Sequence, residues 1–577
     1  MTAKPQDLGR SVAYFSMEIA LTPTLPTYSG GLGVLAGDTL KAAADMGLPV
    51  VAVSLLYRQG YFRQHLDAQG KQSESTVTWS PEEVLERAPV TATIAIEGKA
   101  VTISAYKYTI VGAKGHKVPV YFLDTAAASN DAYHQTLSGQ LYGGDERYRL
   151  CQETLLGIGG VAMLAALGVK PDVYHMNEGH AALLTLALAT EGKGRLGAAL
   201  PRPTDAGWSG VKERCVFTTH TPVPAGHDTF PVALSRAVLG DDITNFAESI
   251  GACPGGRLNM SEVAIKGSRY VNGVAKRHAE VSRRMFPGVH IDAITNGVHA
   301  VSWTADAMQK LFDKHLAGWR EDNNYLRFAA ELPLDELTAA RKVSKATLFE
   351  YIAQHTGQKF DPNVFTLGFA RRAAEYKRAD LLFHNPERLK QIAAKHPLQI
   401  VFGGKAHPRD FGGKRVIENV FAGAKALAGA NIKIVYLENY DMTLGRLICS
   451  GVDLWLNNPV KPLEASGTSG MKAAINGIPS LSTLDGWWVE GNLEGQVGWE
   501  LPDDADAFGA ASDDGKDRQA TAARLYDMLE RQIMAMYYGD PVAYARIARN
   551  CIYLNGPYFN THRMVLQYFV QAYTPRA

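Results

Sequence analysis

The run Gly467-Thr468-Ser469-Gly470 is a turn of small residues, and the chain from Met471 onward has helical character. Such a turn at a helix N-terminus presents backbone N–H groups and suits a phosphate. Lys472 stands in the first helical turn, close to where that phosphate would sit. A lysine amine can form a Schiff base with an aldehyde cofactor. On chemistry alone, a lysine beside such a turn is more often simply solvated.

A second concentration of charge follows the strand-like VFTLGFA: Arg371-Arg372-Ala373-Ala374-Glu375-Tyr376-Lys377-Arg378, with four cations in eight residues. Arginine grips phosphate through two parallel hydrogen bonds, and lysine acts as a point charge. A solvated, charged helix start has the same composition. Nearer the N-terminus, Ser29-Gly30-Gly31-Leu32-Gly33 precedes a helical run, Val34–Met46. A lone glycine-rich loop says little by itself. Strand DVYHMN leads into Asn177-Glu178-Gly179-His180, and strand CVFTTH ends at His220 before Thr221-Pro222. Either histidine alone is more often structural than catalytic. At two adjacent strand ends they suggest a polar pocket.

These residues need elements to carry them. VVAVSLLY, VPVYFLD, DVYHMN and CVFTTH read as short buried strands, and a second run follows in VFTLGFA, LQIVFGG and IKIVYLEN. Helical segments alternate with them, which favours an α/β protein with mostly parallel sheets. Ile291–Lys359 is mainly helical in pattern, carries TNGVH near its start, and separates the two runs. The expected organisation is two doubly wound, Rossmann-like domains, residues 1–295 and 296–577, with ligands at the carboxyl ends of the strands. Leu155–Val169 is expected to be a buried core helix, and Thr561–Tyr573 a terminal one.

Length and composition agree. The chain has 577 residues, 46% hydrophobic and 20% charged, enough for a sizeable core. A net charge of +1 without a basic or acidic block argues against nucleic acid or a membrane surface as the main partner. Five scattered cysteines include no Cys-x-x-Cys pair, which argues against a disulfide framework or zinc site and for a reducing compartment. The start, MTAKPQDLGR, lacks the pattern of a signal peptide. The expectation is a cytoplasmic protein with no metal.

EASGTSGMK, followed by NG and then DG, resembles the pyridoxal-phosphate-binding signature of the glycogen, starch and maltodextrin phosphorylases, and matches in family order run from about Tyr14 to Tyr573. The resemblance is closest to the short bacterial and archaeal glucan phosphorylases. It implies glycosyltransferase type B architecture, two such domains facing a central cleft, and reversible phosphorolysis of α-1,4-glucan non-reducing ends to glucose 1-phosphate with retention. It also implies that inorganic phosphate and the 5'-phosphate of pyridoxal phosphate serve as acid and base. Lys472 is then the Schiff-base lysine, and Gly467, Thr468 and the Ser469 backbone hold the cofactor phosphate. Glu464 and Ser466 face the glucosyl 3-hydroxyl region with Gly467, and Tyr376 is another sugar contact. Arg372 and Lys377 bind the substrate phosphate, with Arg371 near the cofactor phosphate; Lys405, in GGK, matches a further family position. Gly30, Gly31 and Leu32 aim helix N-terminal amides at the phosphates. His220 contacts the sugar 6-hydroxyl, Asn272 contacts the sugar, and Glu178 and His180 stand beside the glucan cleft. Tyr142-Gly143-Gly144-Asp145 resembles a gate loop, with Asp145 at the substrate. Asn296-Gly297 matches a hinge, and Tyr440 packs near the cofactor, followed by Asp441 where vertebrate enzymes have Arg. The partners implied are glucan, phosphate and a homodimer mate, without the regulatory N-terminal segment of the animal enzymes.

Three rival readings remain. A nucleotide-sugar-dependent glycogen or starch synthase shares the double-Rossmann plan but has no use for a Schiff-base lysine. An aminotransferase would use the cofactor ring. A non-catalytic glucan-binding protein would have no turnover.

Overall fold

The computed structural model describes residues 9–190, 202–503 and 515–574. The opening MTAKPQDL, read above for a leader, lies outside them. The chain divides into two compact units: 1–62, 76–294 and 564–577 form the first, and 63–75 and 295–563 the second. The linear split into 1–295 and 296–577 therefore needs two amendments, because a short early segment and the last stretch each belong to the other unit.

The first unit is built on a ten-stranded sheet. Across it run Asp292–Ala293, Tyr270–Gly273, Cys215–Thr218, Val173–Asn177, Val12–Ser16, Val50–Leu55 and Lys117–Asp124, all parallel to their neighbours. Lys99–Val111 then pairs antiparallel with Lys117–Asp124. The central strands are apolar on both faces, as a parallel sheet covered on both sides requires. Side chains alternate accordingly: Ala13 and Phe15 enter one core with Val51, Val53 and Leu55, while Val12 and Tyr14 enter the other. That second core is closed by the helix Gly31–Asp45 and by Met564, Val565, Tyr568, Phe569 and Tyr573 of the final helical segment. Each such buried side chain contributes about 1.5–3 kcal/mol, so the C-terminal stretch is a structural part of this unit.

The second unit carries a six-stranded, all-parallel sheet in the order Ile432–Leu437, Leu398–Gly403, Phe365–Ala370, Leu454–Asn457, Ser480–Ser482 and Gly498–Glu500. The long helix Leu334–Thr356 packs Leu348, Phe349 and Ile352 against it and ends on Gly357 at φ +71°. Asp453 pins this helix to the central strands by accepting from Lys345 Nζ at 2.6 Å and Thr366 N at 2.9 Å. The expected strands and alternation are present in both units. The stretch 291–359, expected to be mostly helical, is so apart from the strand Asp292–Ala293, and it belongs to the second unit from Thr295 onward.

Candidate active site

In an open parallel sheet, ligands gather where the strand order reverses, at the carboxyl ends. In the second unit that point lies between Phe365–Ala370 and Leu454–Asn457. Arg371 follows the first of these strands directly, and Asn457 ends the other. The Arg371 guanidinium donates to the Asn457 amide oxygen and to the Glu464 carboxylate. Lys377 Nζ reaches the same carboxylate at 3.0 and 3.2 Å. The Glu464 backbone N–H donates to Asp485 Oδ2 at 2.8 Å, which fixes the loop that carries the carboxylate. All three charged groups are buried.

Burial alone would raise the Glu464 pKa, but Arg371 and Lys377 outweigh it and hold the carboxyl at about 2. The folded pKa is therefore depressed. The stability it confers is present above the unfolded carboxyl value and is lost as pH falls through about 2. The shift corresponds to about 3 kcal/mol. Glu464→Gln should be less stable than the parent by about that amount at pH 6. The gap should close toward pH 2, as read from urea midpoints across the pH series.

The loop after Glu464 reaches Gly467, at φ +83°, and then the helix Thr468–Ile475, whose first turn has no side-chain cap. Lys472 is buried, with Nζ 3.5 Å from the centre of the Trp303 ring. Ser466 Oγ is buried without a partner among the described residues. A Cβ on Gly445 would lie 3.0 Å from the Tyr440 hydroxyl and 3.6 Å from Trp303, so both rings pack at that position. Asp441 accepts from Leu444 N at 2.8 Å as the N-cap of the helix Met442–Gly451. Its negative charge beside Tyr440 thus has a local cause, since a helix N-terminus favours an acceptor and an anion.

In the first unit the order reverses between Val12–Ser16 and Val173–Asn177. Glu18, just past the first strand, is buried and accepts from the Ser29 and Gly30 amides at 2.5 and 3.1 Å and from the Tyr142 hydroxyl at 3.0 Å. A Cβ on Gly33 would lie 2.7 Å from Glu18 Oε2, so the glycine admits this carboxylate. Hydrogen bonds continue across the strand ends: Ser16 Oγ to Glu18 O at 2.7 Å, Asn177 Nδ2 to Ser16 Oγ at 3.0 Å, and His220 Nε2 to Asn177 Oδ1 at 2.6 Å. An amide oxygen only accepts, so Nε2 carries the proton and Nδ1 is left as an acceptor. Burial drives His220 well below the usual range, with His278, His175 and His180 adding to the effect, and the ring is neutral. Glu178, at φ +74°, accepts from Gly179 N, His220 N and Thr221 Oγ1 at 3.0, 2.7 and 3.0 Å. It clips the backbone that presents His220.

The other expected site residues have contacts of their own. Arg371 joins Lys377 on Glu464. Arg372 is exposed and lines a cavity of about 640 Å³ with Tyr376, Arg415 and Arg518. Glu464 is the internal counterion of the cation pair. Asp145 caps the helix Glu146–Thr154 through Tyr148 N at 2.9 Å. The Gly30 amide serves Glu18, which leaves Gly31 and Leu32 in the first helical turn, where N–H groups have no partner four residues back. The Asn272 side chain is committed internally: Nδ2 donates to Gly273 O and Tyr568 OH, both at 3.0 Å, and Oδ1 accepts from Thr218 Oγ1 at 2.9 Å. His180 Nε2 lies 3.3 Å from Arg149 and 3.5 Å from Asp228, and burial, followed by Arg149, pushes it down to about 4. Glu153, His180 and Asp228 have metal-like spacing, but Arg149 bonds both carboxylates and already supplies the positive charge. Glu18 and Trp303 were not picked out from sequence, and Asp485 entered only as the DG of the quoted signature. Glu18 had the one usable signal, a lone carboxylate just past an apolar strand.

Two doubly wound units with polar clusters at their switch points are consistent with the glycosyltransferase type B fold. Comparison with known proteins sharpens this. Residues 233–536 match the carbohydrate phosphorylase family, and residues 11–200 match the starch synthase catalytic domain. The maltodextrin phosphorylase of Thermococcus litoralis is 37% identical, covering 98% of this chain and 70% of that protein. The glycogen phosphorylase of Mycobacterium tuberculosis is 36% identical, covering 99% and 72%, and that of Aquifex aeolicus 33%, covering 98% and 86%. The chain belongs to the carbohydrate phosphorylase family. Among the described residues, no helix is long and apolar enough to cross a membrane.

Proposed function

We propose that this enzyme is an α-1,4-glucan phosphorylase that releases glucose 1-phosphate from glycogen- or maltodextrin-type chains and requires pyridoxal phosphate. The observation that carries the reading is the convergence of two buried cations, Arg371 and Lys377, on one carboxylate at the switch point, in the loop that leads to Lys472. A carboxylate held this way marks a position built for an anion, and orthophosphate is the anion this chemistry needs.

The surroundings of Lys472 fit the cofactor. An amine over the Trp303 ring, an uncapped helix start and an orphaned serine hydroxyl suit a flat ring bearing an aldehyde and a phosphate. When bound, pyridoxal phosphate supplies a phosphate whose second ionisation near ~6 lets it hold and return a proton around neutrality. Lys472 would tether it, and the Thr468 and Ser469 amides would bind its phosphate. Arg371 and Lys377 orient inorganic phosphate and offset its charge, while Arg372 offers a further cation from the cavity side. In the first unit, the Gly31 and Leu32 amides favour an anionic group, and neutral His220 accepts a sugar hydroxyl at Nδ1. No carboxylate pair is assigned to bond cleavage, in contrast to a hydrolase.

The test is glucose 1-phosphate release from maltooligosaccharides of graded length, with and without inorganic phosphate. Release that requires phosphate, from protein showing the near-ultraviolet absorbance of bound pyridoxal, is expected. The match of residues 11–200 to starch synthases makes synthesis the second reading. Glucan extension from a nucleotide sugar, with no response to phosphate and no such absorbance, would establish it instead. The expected cytoplasmic location and homodimer stand as part of the proposal.

A further inference from the structure

The strand pair Arg63–Leu66 and Gln72–Ser75 belongs to the second unit although its sequence lies within the first. Gln64 and Gln72 are 0% and 5% exposed. Buried amides require partners, and these two find them on the backbones of neighbouring loops. Gln64 Nε2 donates to Gly404 O at 3.0 Å and to Gln72 Oε1 at 2.9 Å, and its Oε1 accepts from Asn439 N at 3.0 Å. The Gln64 backbone N–H donates to Asn439 Oδ1 at 2.7 Å. Gln72 Oε1 accepts from Ala406 N at 3.0 Å, while Nε2 donates to Ala406 O at 2.9 Å and Glu74 Oε1 at 2.7 Å.

The backbone on both sides of Lys405 is thus held by side chains of one hairpin. The bracketed turn holds the next loop in its turn. Gly403 O accepts from Arg371 N at 3.0 Å, and Lys405 O accepts from Ala373 N at 2.9 Å. A Cβ on Gly404, at φ +149°, would lie 2.0 Å from Arg371 O, so the two backbones touch. The hairpin also bears on Lys405 electrostatically. Burial pulls that ammonium down to about 8; Asp441 opposes the shift and Arg63 of the hairpin adds to it.

We infer that the 63–75 hairpin is a positioning element for the phosphate-binding cations: Gln64 and Gln72 fix the Gly404–Ala406 turn, and that turn fixes the loop bearing Arg371. The inference rests on reading Arg371 and Lys377 as phosphate ligands.

Gln72→Met keeps the length and volume of the side chain but removes its bonds to Ala406. The KM for inorganic phosphate should rise roughly tenfold, the scale set by one or two lost hydrogen bonds. The kcat and the KM for maltooligosaccharide should stay within about twofold. Lys414→Met, which cuts the 2.7 Å ion pair to Glu74 on the same hairpin without touching the turn, should leave the KM for phosphate unchanged. A Gln72→Met enzyme with the parent KM for phosphate, or with only Tm and kcat lowered, would overturn the inference and leave the hairpin a structural strap. Gln72→Asn is scored in the same way should the methionine variant not fold. Failure of the parent enzyme to turn over with phosphate would instead sink the functional reading, so the two failures are distinct.

Discussion

Replacing Lys377 by methionine is expected to lower phosphate-dependent glucose 1-phosphate release by about 10³-fold. Lys377 supplies one of the two positive charges on the buried Glu464 position, and a charge-assisted contact in such surroundings is far stronger than one in water. Stability should change less. Removing one partner of a buried ion pair can cost about 3–5 kcal/mol, but Glu464 keeps Arg371. A loss of about 2 kcal/mol, the worth of one hydrogen bond to a charged group, is expected. The same variant should lose its acid resistance earlier, because Glu464 with one cation fewer protonates at higher pH. Initial rates at saturating glucan and varied phosphate, beside urea unfolding at pH 6 and pH 3, measure both effects. Unchanged rates in a folded Lys377→Met enzyme would end the assignment of this cation pair to phosphate.

Lys472→Ala should have the largest effect, a fall of about 10⁴-fold or more, because the tether proposed for pyridoxal phosphate would be lost, and with it the proximity that ties a reagent to its site. Purified variant should lack the near-ultraviolet absorbance of bound pyridoxal. Lys472→Arg separates charge from chemistry. A guanidinium can stack on Trp303 as an ammonium does but does not condense with an aldehyde under ordinary conditions. The arginine variant is expected to be as inactive as the alanine one. Full activity in the arginine variant would mean that position 472 needs only a positive charge.

How much of this was legible in the sequence differs by residue. The turn at Gly467 and the cations after VFTLGFA were visible because each is a local pattern: small residues before a helix, charge after an apolar strand. The strands were visible because parallel strands covered on both faces are unbroken apolar runs. Glu18 and Trp303 were missed because their importance lies in the side chains they meet, which local pattern does not show. Gln64 and Gln72 are polar residues in a polar stretch, and only contact with Gly404 and Ala406 separates them from solvated glutamines. Asp145 carried a second, local signal, an acceptor side chain just before Glu146, and it caps that helix through Tyr148 N. That Arg371 meets Glu464 depends on a contact 93 residues along the chain, which pattern alone does not fix.

The first unit contains Tyr568 and Tyr573, which bond Asn272 and Thr218, and His175 respectively, at the centre of its sheet. His175 and Thr218 are therefore synthesised more than 300 residues before those partners exist. On a ribosome, where residues emerge at about 5–20 per second, that interior stays without its closing helix until residues 295–563 of the second unit have emerged. Vectorial completion of this unit is thereby ruled out: it becomes whole only after the second unit has been made.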